Sequence, residues 1–555
     1  MGVPEQHTLG IVRLSDGSTE DDLKSARVNV LRSRYGFAFV SMPVDDVERV
    51  ASLKSVKRLQ LARPVKAKML NARKSSGVEN IHQGIGLEQA YTGKGVVCGI
   101  VDTGLDPNHI NFLDSEGKSR VGFLGHLTIN QNATSDADLL KEKFYDRESM
   151  ANFTTDDRST YHGTHTMGTM AGGYRGTATV AIANSDLKTS TLEEMPNPYY
   201  GVAYDADIAA ACGDLYDAII AYGVDYIIQY AEQQGKPYVI NLSLGSNSGP
   251  HDGKGLIDQF FDACAEEANA IICVAAGNEG DMKIALNKIL TAEDTEVKTF
   301  IEGYDYNNGS KTTYTRAGSV AIYSNDETPF TVTAVIYNNS RNRVAKTYGV
   351  ETQEEMSTGK YWVSSSNYQE SDADIEDMTL GTYFDGYIGI GGMVDEDSKR
   401  YYAVVDYQLF NNTVTNADGT RTIGFIVTGS EGQRIDVFCD GEFSWLRNNG
   451  IDGWEDGSTN GTISDMATGN NILAVGSYNT SSYWGCVDGQ VYTAAYNISS
   501  GEITEFSSYG TLIDGRNLPH VCAPGAAIIS SYNRYYTPGT SEVAAKVSGE
   551  VRDNN

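Results

Sequence analysis

Residues 95–112 read "GVVCGIVDTGLDPNHINF", and the fold turns on the first eight of them. A short apolar run rich in β-branched residues, closed by turn chemistry, is the pattern of a strand buried on both faces. Three more runs share it, "ADIAAACG" (206–213), "YVINLSLG" (238–245) and "IICVAAG" (271–277), with helical stretches such as "LYDAIIAYGVDYIIQYAEQQ" (215–234) between them. Alternation of this kind predicts an α/β fold, a mostly parallel sheet with helices on both faces. Asp102 then stands at the carboxyl end of a buried strand, the edge where open parallel sheets assemble their sites. Asp-Thr-Gly also marks aspartic proteases, but they need two such carboxylates and the tripeptide occurs once here. A strand-end Asp that merely caps a turn is the bland alternative.

Outward from Asp102, "YHGTHTMGTMAGG" (161–173) opens a helix of small residues on His162. Small residues let such a helix approach the sheet, and a carboxylate beside the imidazole fixes its tautomer and stabilises the imidazolium. His165, one turn on, reads as a packing residue. The two histidines have no obvious third ligand nearby, so zinc is a weak reading. "AIICVAAGNEGD" (270–281) ends a strand with Asn278, whose amide suits an oxyanion donor or, more plainly, a turn residue tolerant of left-handed geometry. Ser243, Leu244 and Gly245 offer an exposed strand end for β-type pairing with a peptide.

Residues 7–62 alternate strand, helix, two strands, helix, strand, which is the ferredoxin-like order. A basic stretch, "RPVKAKMLNARKSSGVEN", follows and reads as an exposed connection. From about residue 283 to 461 the chain becomes a tract of short Tyr-, Thr- and Val-rich strands, an all-β, jelly-roll-like insertion. "NNILAVGSYN" (470–479) then restores the buried-strand pattern. The expected parts are therefore 1–82, 83–282, 283–461 and 462–555.

The 555 residues carry 43 Lys and Arg against 73 Asp and Glu, a formal charge of -30 that argues against nucleic acid and anionic membranes as partners. No apolar run is long enough to span a bilayer, and "MGVPEQHTLG" lacks the pattern of a secretory signal. Seven scattered cysteines do not form a disulfide framework and read as small buried hydrophobes.

"VDTGLDPNH", "HGTHTMGTMAG", "GVAYDADIAA", "INLSLG", "VAAGNEG" and "FSSYGTLIDGRNLPHVCAPG" together resemble the subtilases, the subtilisin-like serine peptidases, in the family's order over about residues 83–282 and 462–530. The resemblance implies Asp102 as orienting acid, His162 as general base, Asn278 as oxyanion donor and Ser243 to Gly245 as the substrate cleft. It also implies a propeptide-like N-terminal unit, a protein or peptide substrate, no required cofactor, and a secreted, periplasmic or cell-surface location. A structural calcium is not legible. Leu512 and His520 depart from the family's usual Pro and Asp, in a segment read as surface. Ser541 stands in a Gly-Thr-Ser where the family places its nucleophile, but Glu542, Lys546 and Glu550 replace the expected apolar continuation. The sequence therefore favours a nucleophile beyond Asn555 over Ser541. An alternative of a different class is a non-catalytic homologue whose jelly roll binds carbohydrate or a surface partner.

Overall fold

The computed structural model describes residues 7–61, 66–67, 73, 75–151, 153–156, 161–303, 306–307, 314–338, 343–349, 361–364, 385–410, 415–416, 419–440, 444–480, 483–493, 501–526 and 528–532. The chain begins with β1 (His7–Leu14), α1 (Glu20–Ser25), β2 (Asn29–Arg34), β3 (Phe37–Pro43), α2 (Val47–Ala51) and β4 (Val56–Leu61). These strands pair antiparallel in the order β2-β3-β1-β4, the ferredoxin-like arrangement. Strand alternation gives that sheet two apolar faces. Val12, Leu14, Ala38 and Val40 meet Leu23 of α1 and Val50 of α2 in a small core. Leu9, Ile11, Phe37 and Phe39 point the other way and belong to the main core of the chain.

The body follows through β5 (Lys66–Ala67), α3 (Val78–His82), β6 (Val97–Asp102), β7 (Val121–Ile129), β8 (Leu140–Asp146), α4 (His162–Ala171), the hairpin β9 (Thr177–Ala183) and β10 (Ser190–Pro196), β11 (Asp207–Gly213), α5 (Asp217–Gln234), β12 (Tyr238–Leu242), β13 (Leu244–Gly245), α6 (Leu256–Ala268) and β14 (Ile271–Ala275). Its eight-stranded sheet runs Val521–Ala526, Leu473–Asn479, β14, β12, β6, β11, β7, β8, and only the edge strand β8 is antiparallel. In β6, Val97 and Val101 face the core shared with α5 and α6, while Cys98 and Ile100 face Met167 and Ala171 of α4. Helices thus cover both faces, as the sequence predicts.

Between β14 and Leu473–Asn479 the chain forms two antiparallel sheets that pack around Val320, Ile322, Val332, Phe425 and Val437. Ala285 and Ser458 pair in a β-bridge, so the two ends of this sandwich emerge side by side. Arg400, only 2% exposed, ties the sandwich to the body: its guanidinium donates to Asp436 at 2.6 Å and to the Pro250 carbonyl at 2.8 Å.

Several expectations need correction. The basic stretch is not simply an exposed connection, because the Lys66–Ala67 backbone pairs antiparallel with Leu244–Gly245. Farther along it, the Arg73 guanidinium lies 3.5 Å from the centre of the Tyr200 ring and donates to the Pro198 carbonyl at 2.8 Å. Leu512 is buried in the main core rather than at the surface, and His520 is bonded through Nδ1 to the Ala474 amide at 3.0 Å. All seven cysteines are free, five of them buried as expected, but Cys522 is exposed and Cys273 only partly covered.

Phe39 is the clearest link between the first unit and the body. Its ring meets Phe260 edge-on at 5.3 Å and Tyr222 at 5.5 Å. Phe39→Ala is expected to cost about 3–5 kcal/mol and to shift a single denaturation transition reporting both parts. Loss of the N-terminal unit's signal alone, with the body's midpoint unchanged, would contradict the shared core.

Candidate active site

Alternation along β6 places Asp102 on the same face as Cys98 and Ile100, the face that α4 covers. Asp102 is fully buried, and its Oδ1 accepts from the Thr103 amide at 2.7 Å and from His162 Nδ1 at 2.6 Å. His162 is the first residue of α4, preceded by Tyr161 at φ +49°, a left-handed backbone unusual for an aromatic residue. Next in sequence comes Gly163. A Cβ there would stand 1.8 Å from the Gly104 carbonyl oxygen, so only glycine lets the helix come this close to the strand end.

A second carboxylate locks the same junction. Asp156 Oδ2 accepts from the Thr164 amide at 2.8 Å and from the Thr164 hydroxyl, capping the first turn of α4. Its Oδ1 lies 3.3 Å from the Thr103 hydroxyl, which stands equally far from Asp102 Oδ1. Burial pushes the Asp156 carboxyl up to about 6; the Thr164 bonds oppose that rise and the nearby Asp102 charge adds to it. His165 is bonded to the Ile528 carbonyl at 3.2 Å, and burial together with the His162 charge pushes it down to about 3. His165 is therefore a neutral packing residue, as its sequence suggests.

β6, β12 and β14 are adjacent and parallel, so Asp102, Ser243 and Asn278 follow the same edge of the sheet. Asn278 and Ser243 border one cavity of about 210 Å³, together with Asn241, Ser477, Phe506 and Gly525. Left-handed geometry is not the reason for Asn278, since Gly277 takes the unusual backbone at φ +135°. Glu279 holds the loop instead: its carboxylate accepts from the Asn278 backbone amide at 2.8 Å, and its own backbone amide donates to Ser508 Oγ at 3.0 Å. Ser243, Leu244 and Gly245 are buried rather than an exposed strand end: Leu244 and Gly245 form β13, whose edge is already taken by β5 of the same chain. Ser541 lies outside the described residues. Among the described residues, no group of His, Cys, Asp and Glu side chains is arranged to hold a metal ion.

Comparison with known proteins matches the subtilase family model to residues 93–340 and 315–551. The chain belongs to the subtilase family. An extracellular basic protease of Dichelobacter nodosus is 27% identical over 216 residues, covering 35% of this subtilase and 30% of the relative. A subtilisin-like protease, SBT2.1, of Arabidopsis thaliana is 29% identical over 213 residues, covering 34% and 24%. The chain thus spans less than a third of the length of these curated relatives. The solved structure of the Clostridium perfringens CspB protease aligns with a TM-score of 0.54 at 17% identity over 83% of this chain and 82% of that one, a likeness of fold.

Sequence reasoning missed Asp156 in this subtilase. The signal was a carboxylate a few residues before a helix with an unmet N-terminal cap, but Asp157 beside it carries the same side chain. Asp156 supplies a pH test. Unfolded aspartate ionises near 3.9, so a carboxyl raised to about 6 in the fold binds its proton more tightly there. Its contribution to stability is full below about pH 4 and is lost as the pH rises through about 6. Between those limits the wild-type chain is expected to lose on the order of 3 kcal/mol relative to Asp156→Asn, by urea denaturation at a series of pH values. His165 titrates in both proteins and cancels. Parallel pH profiles would show that Asp156 ionises normally.

Proposed function

We propose that this subtilase is a serine endopeptidase that cleaves protein or peptide substrates with its own side chains and needs no cofactor. The Asp102–His162 bond of 2.6 Å carries the proposal. With Nδ1 held by the carboxylate, Nε2 is the nitrogen through which the ring takes up a proton. A serine hydroxyl gives that proton to Nε2 as its oxygen bonds to the scissile carbonyl carbon. Collapse of the tetrahedral intermediate breaks the C–N bond, and His162 returns the proton to the leaving amine. Water repeats the sequence on the acyl-enzyme. The Asn278 side-chain amide donates to the carbonyl oxygen while it bears negative charge, a role whose loss costs ~10²–10³ in rate.

The β5–β13 pairing supports the same reading, because an extended backbone already lies along β13 in the manner of a bound peptide. We read the N-terminal unit as a self-supplied occupant of the cleft. An extracellular relative supports a location outside the cytoplasm. Among the described residues no helix is long and apolar enough to cross a membrane.

Fluorophosphonate labelling of the full gene product tests the proposal. One serine is expected to be labelled, and His162→Ala to abolish the adduct. Comparison with Ser541→Ala assigns the nucleophile to that position or to another. Labelling that survives His162→Ala, or none in the full product once the cleft is cleared of the N-terminal unit, would overturn the peptidase reading.

A further inference from the structure

Arg58 lies on β4, an edge strand of the N-terminal sheet, and reaches the β-sandwich. Its Nη2 donates to Asp395 Oδ2 at 2.8 Å, and its Nη1 to Asp397 Oδ2 at 2.8 Å and to the Lys254 carbonyl at 3.1 Å. Both carboxylates sit at the turn between the sandwich strands Asp385–Asp395 and Arg400–Phe410. The turn fixes them independently of Arg58. Asp395 Oδ1 accepts from the amides of Asp397 at 2.9 Å and Ser398 at 3.1 Å, which leaves Oδ2 turned to the guanidinium. Gln259 of α6 donates to Asp397 Oδ2 at 3.1 Å and to the Lys254 carbonyl at 2.8 Å. Directly after the turn, Arg400 pins the hairpin to the body through Pro250.

Little water reaches this joint: the side chains of Arg58, Asp395 and Asp397 are 17%, 6% and 12% exposed. Two fixed carboxylates and a carbonyl match the fork of a guanidinium, whereas the single ammonium of lysine cannot span them in the same way. Charge over the whole chain is biased in the same sense. Residues 1–82 hold 14 Lys and Arg against 9 Asp and Glu, and the remaining residues hold 29 against 64.

We propose that this acidic turn is a retention site for the N-terminal unit: it binds Arg58 of that unit as a partner and keeps the unit seated after the connecting residues 62–72 are cut. The sandwich then has a role that is independent of the peptidase reading, and the test below does not depend on activity.

The full chain, with a site-specific protease sequence introduced within residues 62–72, is cut and the release of the N-terminal fragment followed by size exclusion and by its rate of dissociation. The wild-type fragment is expected to co-elute with the body. Asp395→Asn with Asp397→Asn should release it about 10-fold faster or more. Asparagine at 395 still offers an oxygen to the turn amides, so the hairpin is preserved. In a double-mutant cycle, Arg58→Ala added to the Asn pair should bring a much smaller loss than Arg58→Ala alone, because only its bond to the Lys254 carbonyl is left to lose. Unchanged release in the Asn pair, or additive effects of Arg58→Ala, would overturn the proposal.

Discussion

The first turn of α4 approaches the end of β6 so closely that no side chain fits between them. A 2.6 Å bond between Asp102 and His162 demands this, because an imidazole reaches only a short way from its backbone. The glycine after His162 removes the atom that would collide with the Gly104 carbonyl. Closeness alone would leave the junction loose, however, since the first amides of a helix have no partners inside it. Asp156 meets that need at Thr164 and touches Thr103, the residue that also bonds Asp102. The strand end and the helix start are therefore held by one polar network, and the sheet behind them need only present Asp102 on the covered face.

What was legible in the sequence follows from burial. β6, β11, β12 and β14 read as strands because they lie inside the sheet and carry apolar residues on both faces. β7 and β8, at one end of the sheet, escaped: β7 is only partly buried, and β8 is an edge strand whose Lys141, Glu142 and Lys143 are exposed, so neither shows the buried-strand pattern. Asp102 and Asn278 each carried a plainer reading as turn residues, and with His162 they stand out because their short motifs end buried strands or open a small-residue helix. Asp156 sits in a polar loop, where its role depends on a helix that folds back onto it. β5 was unreadable for a similar reason: two residues of a basic stretch become a strand only because β13, far away in sequence, offers an edge.

Three parts of the chain meet without any one being independent of the others. Between the N-terminal sheet and the body the contact is chiefly apolar, through Phe37, Phe39 and Phe260, and such burial is indifferent to register. Arginines supply the direction. Arg32 and Arg34 converge on the buried Asp225 of α5, and Arg34 also reaches Glu232. A sheet packed on two helices through rings alone has several near-equivalent seatings. Fixed carboxylates along α5 select one of them, a use of electrostatics for specificity more than for strength.

β13 is a strand of two residues whose edge pairs with β5. Open strand edges are adhesive toward any extended polypeptide, including another copy of the same protein. The pairing with β5 closes that edge from within, and because β5 is covalently tethered its effective concentration is roughly millimolar. A free strand at micromolar concentration is then outcompeted by about 10³-fold. An extended strand of another copy therefore meets, at β13, an edge already paired within its own chain.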